Sequence, residues 1–178
     1  MDFEVETCYG DSHEITVFAA EFFNEKLSVH RVSLRDGSLI ESRTIDDNTL
    51  SAYSVALVDL NGDGKKELLF NNHEKDDATN GIWAYTVPKD PMSGDFEKYT
   101  IATDFKNAFS LMVPNMSPGF PYAIWPEVAT TGKVPAHIAV AGDGDHKAHL
   151  MQPTGDRSQF EYTDYVLSNA GGTVGALT

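Results

Sequence analysis

Short apolar runs separated by polar, glycine-bearing turns recur along this chain, and their lengths are those of β-strands. In the middle of the chain the pattern predicts four strands in succession: YSVALVD, KELLFNN, GIWAYTV and FEKYTIA. A second set follows as AFSLMVPN, HIAVAGD, KAHLMQ and FEYTDYVL, with a long insertion between its first two members. Ahead of both, only three appear: EITVFAA, KLSVHRV and LIESRTI. A last run, GGTVGALT, aligns with YSVALV. The prediction is therefore all-β, in antiparallel four-stranded units.

The units repeat. GSLIESRTIDDN, GDFEKYTIATDF and SQFEYTDYVLSN each pass from a turn through a mixed strand to an Asp or Asn. Aligned on Thr44, Thr100 and Asp164, they lie about 55 to 65 residues apart, a spacing suited to propeller blades. The units span approximately 13–48, 53–105 and 106–169, with a final strand over 171–178, in a single domain covering 1–178.

The best-defined joint lies between the two apolar runs 55–58 and 68–70. Asp59, Asn61 and Asp63 place oxygen side chains at alternate positions, and Gly64 permits a sharp turn. The carbonyl of Lys65 and the carboxylate of Glu67 complete an oxygen-only set of the kind calcium prefers. An EF-hand would need an acid at the twelfth position, where Phe70 stands, and helices on both sides. Without metal, Asn-Gly and Asp-Gly dipeptides would still form a hairpin turn, but such a turn needs neither Asp59 nor Glu67.

The spacing D-x-N-x-D-G-x-x-E between two strands resembles the calcium loop of FG-GAP/VCBS repeats, the blades of β-propellers in the integrin α-subunit head and certain fungal lectins. The resemblance implies four-stranded propeller blades, about three blades' worth here, with calcium as the cofactor. Closed propellers usually have four to eight blades. Two readings stand: a piece of a longer propeller, or a homo-oligomer in which the last strand completes the three-stranded copy and two chains form a ring.

Residues 105–135 interrupt the repeat with five prolines, which predicts a long loop over one face of the sheet. Within it Phe120, Tyr122 and Trp125 are the candidate ligand-stacking side chains, whereas Trp83 lies in a strand and is expected in the core. A weaker second loop falls at AVAGDGDHKAHLM, where Asp143 and Asp145 remain but Ala141 and His149 replace both end acids. A tight Gly-Asp-Gly turn is the plainer reading of that loop. His146 and His149 add little as transition-metal ligands, because positions three apart on a strand face opposite ways. Glu74, Asp76 and Asp77 read as a solvated connection.

Composition narrows the function. With 13 basic and 27 acidic residues the net charge is −14, and no basic cluster offers a nucleic-acid surface. No apolar run reaches the length of a membrane span, and the opening MDFEVETC has no signal-peptide character. Compartment stays open between extracellular and cytoplasmic. Cys8 is the only cysteine, so neither an intrachain disulfide nor a cysteine zinc site is available. No nucleophile elbow, P-loop, dinucleotide fingerprint or C-x-x-C is present. The leading expectation is a calcium-stabilised, non-catalytic binding module for carbohydrate or protein. The alternatives are a fragment of a propeller-based polysaccharide lyase or sugar dehydratase, and a self-assembling structural protein.

Overall fold

The computed structural model describes residues 2–7, 13–108, 115–127, 131 and 133–169, the first of these segments as backbone only. Among these residues twelve strands form three antiparallel four-stranded sheets, each an open meander in chain order. The first sheet holds β1 (Asp2–Thr7), β2 (Glu14–Glu21), β3 (Lys26–Ser33) and β4 (Leu39–Asp46). The second holds β5 (Ala52–Val58), β6 (Glu67–Asn72), β7 (Gly81–Thr86) and β8 (Lys98–Thr103). The third holds β9 (Pro121–Ile124), β10 (His137–Ala141), β11 (Lys147–Pro153) and β12 (Tyr162–Asn169).

Side-chain alternation explains how the sheets stack. On β6 the side chains of Leu68 and Phe70 join Phe18, Leu27 and Val29 of the first sheet, with Tyr85 and Met92 beside them. Leu69, one residue out of phase, joins Ile138, Val140 and Met151 of the third sheet, with Ile82 and Ile101. The second sheet is thus covered on both faces, and every residue of β6 is buried. Burying a Leu or Phe of this kind contributes about 1.5–3 kcal/mol. The outer sheets are covered less evenly: on β12, Tyr165, Val166 and Leu167 are all exposed.

Two expected strands are placed differently. The first sheet takes its fourth strand from β1, which runs antiparallel to β2 from Asp2↔Ala20 to Thr7↔Ile15. The edge of β2 is therefore filled by β1; the strand expected over 171–178 falls outside the described residues. In the third sheet the first strand is Pro121–Ile124, from inside the expected proline-rich loop, and not the 108–115 run, most of which lies outside the described residues. Pro121 opens a strand at the sheet edge, where a missing N–H forfeits no ladder bond.

Buried asparagines fasten the connections. Asn71, fully buried, donates to the carbonyls of Pro118 (3.1 Å) and Gly119 (3.2 Å), which fixes the backbone just ahead of Phe120. Asn80 and Phe105 exchange two bonds, Asn80 Nδ2 to the Phe105 carbonyl (2.8 Å) and the Phe105 N–H to Asn80 Oδ1 (2.9 Å).

Candidate functional sites

The β5–β6 connection is ordered by its own acids. Asp59 Oδ1 accepts the N–H groups of Gly62 (2.7 Å) and Asp63 (3.2 Å), and its Oδ2 accepts that of Gly64 (2.9 Å). Asn61 Oδ1 takes the Asp63 N–H at 2.9 Å, and Asp63 Oδ1 takes the Lys65 N–H at 2.8 Å. Gly62 has φ +75°, and a Cβ there would stand 2.7 Å from the Val134 backbone, so only glycine seats the loop against its neighbour. Glu67 is buried and accepts the Leu60 N–H at 2.9 Å. Burial, with the charges of Asp63 and Asp59 behind it, pushes the Glu67 carboxyl up to about 7.

These residues match a hard cation in kind, since every side-chain donor is oxygen. Their placement is that of backbone acceptors. Among the described residues no three His, Cys, Asp or Glu side chains gather as a metal-holding group. What the loop does carry is a buried carboxyl, held by backbone N–H alone, beside two further acids.

The β10–β11 connection resolves the same problem internally. Asp145, nearly inaccessible, accepts the Lys147 N–H at 2.9 Å and meets His149 Nε2 at 2.7 Å. His149 Nδ1 meets Asp164 of β12 at 2.9 Å. Burial opposes charge on this ring, but the hydrogen bonds to Asp145 and Asp164 outweigh it and push the imidazole up to about 9. Asp143 takes no part: its Oδ2 lies 3.6 Å from Nε2 of His73, just past the end of β6. His146 sits in the turn ahead of β11 with φ 62°, off the strand on which it was expected. Asp145, His149 and Asp164, with Asp104, Lys106 and Lys147, line a cleft of about 330 Å³ beside β8.

Of the candidate stacking residues, the structure joins two and sets the third apart. Phe120 and Tyr122 lie together (ring centroids 6.4 Å), and Phe120 meets Tyr53 at 4.8 Å. Tyr53 stacks on His73 at 4.4 Å and touches Phe22 at 6.3 Å, which in turn meets Phe23 at 5.2 Å. The rings thus form a row from the β2–β3 turn of the first sheet to β9 of the third. Its two ends, Phe23 and Tyr122, are exposed. Beside it, Ser54, Val55, Ala56, Val58, Phe120 and Tyr122 line a cleft of about 400 Å³ between β5 and β9. Trp125 instead packs against the core and donates its indole N–H to the Val134 carbonyl at 3.1 Å. Trp83 is half-buried in the second sheet, with Lys98 Nζ 4.8 Å above its ring.

The acids after β6 fasten loops. Glu74 accepts the Ser51 N–H at 2.7 Å, and Asp77 accepts the Asn107 N–H at 2.9 Å. Sequence reasoning passed over Tyr53, at the head of a predicted strand, and the Phe22–Phe23 doublet, because Phe22 and Tyr53 meet only in the fold. Comparison with family models, curated proteins and solved structures finds no match. The site must be argued from its own residues.

Proposed function

We propose that the chain is a binding module of propeller type, whose ligand surface is the aromatic row centred on Tyr53, Phe120 and Tyr122. The row carries this reading. Rings from three sheets meet at one surface, and its ends remain open to a partner. Aromatic faces suit the apolar faces of sugar rings or the side chains of a protein ligand. The net charge of −14 disfavours polyanionic ligands, so neutral carbohydrate is the first class to test.

The propeller arrangement is supported by stacking. Three open four-stranded meanders lie face on face, and the exposed Tyr165 and Leu167 of β12 give a place where a further sheet would pack. Calcium at Asp59, Asn61, Asp63, the Lys65 carbonyl and Glu67 is the proposed pin, because a cation would offset the buried Glu67 charge.

A glycan array tests the ligand class directly. Binding that disappears in Tyr122→Ala and Tyr53→Ala supports the reading. An array with no signal, or one that both variants leave intact, refutes it.

A further inference from the structure

The first sheet carries a second cluster, built from residue types that move protons. Strand register sets His30 opposite both Val17 and Ser42, and Ser28 opposite Ala19 and Thr44. By alternation Glu21, Ser28, His30 and Ser42 share the face turned away from the Phe18, Leu27 and Val29 core. His30 Nε2 lies 2.9 Å from Ser28 Oγ, and His30 Nδ1 lies 2.9 Å from Ser42 Oγ. Ser28 Oγ donates to Glu21, which also takes Asn24 Nδ2 at 2.6 Å and stands 3.5 Å from Lys26 Nζ.

Chemistry fixes the direction of this chain of bonds. Burial opposes charge at Glu21, but the hydrogen bonds from Ser28 and Asn24, with Lys26 and His30 nearby, hold its carboxyl below the ordinary range. An ionised carboxylate only accepts, so Ser28 commits its single proton to Glu21. Ser28 Oγ must then accept from His30, which places the proton of the neutral ring on Nε2. Nδ1 is left as a lone pair facing the Ser42 hydroxyl. A serine nucleophile needs that polarity: hydroxyl to imidazole to an anchored acid.

We propose that Ser42 is a nucleophile for acyl transfer, with His30 as its general base and Glu21, acting through Ser28, as the group that orients the ring. Ser42 is exposed and His30 half-buried, so a substrate reaches the first while the anchor stays covered. Ile15, Val17 and Val32, half-buried, and Leu39, exposed, lie on the same face and suit a short apolar acyl chain. The substrate class is a simple carboxylic ester.

In the reaction, Ser42 Oγ bonds to the ester carbonyl carbon as its proton passes to His30 Nδ1. The bond from carbon to the leaving alcohol then breaks, and His30 returns the proton to that alcohol. Water, deprotonated by the same ring, frees the acid and restores Ser42. Among the described residues β4 is the last strand of its sheet, and alternate N–H groups point away from β3. One of them lies within a residue of Ser42, available to the developing oxyanion.

The test uses the full chain with a fluorophosphonate probe and with p-nitrophenyl acetate, and the adduct is mapped by mass spectrometry. The expected result is an adduct on Ser42, none in Ser42→Ala, and a fall of about 100-fold or more in labelling rate in His30→Gln. Ser28→Ala, which leaves nucleophile and base in place, should slow labelling and move its pH profile, and Ser28→Thr should restore both. An unmodified Ser42, or a labelling rate that His30→Gln leaves unchanged, overturns the proposal.

Discussion

The β5–β6 connection joins the first two strands of its sheet, the β10–β11 connection the middle two strands of the neighbouring one, and the two handle buried negative charge in opposite ways. At the ninth position of the first stands Glu67, a buried acid beside Asp59 and Asp63. At the ninth position of the second stands His149, a ring held by Asp145 and Asp164 at 2.7 and 2.9 Å. One connection contains an excess of acid; the other contains its own cation. The difference teaches that a histidine drawn in from the adjoining strand can offset buried acid within the fold, whereas a buried acid without one is left to an external charge.

The comparison can be broken most forcefully at His149. His149→Ala leaves Asp145 buried without its partner, and breaking such a pair costs about 3–5 kcal/mol. Denaturant unfolding at pH 6 should show a loss of that size; a loss below about 1 kcal/mol would mean the clamp is ornamental.

A pH series probes both connections at once. Each group binds protons more tightly when folded, so each stabilises at low pH and loses that contribution as pH rises. For Glu67 the loss runs from about 4.5 to about 7, and for His149 from about 6.5 to about 9. Stability without added metal should therefore fall from pH 5 to pH 9, with each group accounting for something on the order of 2 kcal/mol. Thermal melts that are flat across this range would contradict both assignments.

Smaller effects separate the two connections. Glu67→Gln, measured without calcium at pH 8, should cost little or stabilise by about 1 kcal/mol, because it removes an unpaired buried charge. The same substitution should abolish any rise in melting temperature that calcium gives the parent chain. If calcium gives no rise, the proposed pin is refuted. Asp143→Ala should move stability by less than about 0.5 kcal/mol, since Asp143 stands outside the His149 clamp.

Much of the fold could be read from period-two apolar runs and turn residues, because β5 to β8 and β10 to β12 each carry one or both signals. β1 was missed because DFEVET places an acid at every other position and reads as a polar terminus. β9 was missed because it is four residues long and begins with proline. At the sites, the oxygen spacing of 59–67 was visible because it is local. The His149 clamp depends on Asp164, fifteen residues on, brought near by the β11–β12 pairing and its bulge at Ala148/His149. His30 and Ser42 likewise meet only through the β3–β4 register. The half-buried seat of Trp125 was not legible, because a proline-rich stretch predicts a loop and not which of its side chains bonds back to the chain, as the Trp125 indole does to Val134.

The double cover of the second sheet has a consequence in time. An opening that exposes β6 must first part it from the packing on both its faces, whereas β12 presents exposed side chains along nearly its whole length. Among the described residues the backbone amides of β6 should thus be the slowest to exchange with solvent, and their clock should read the global unfolding rather than any local breathing.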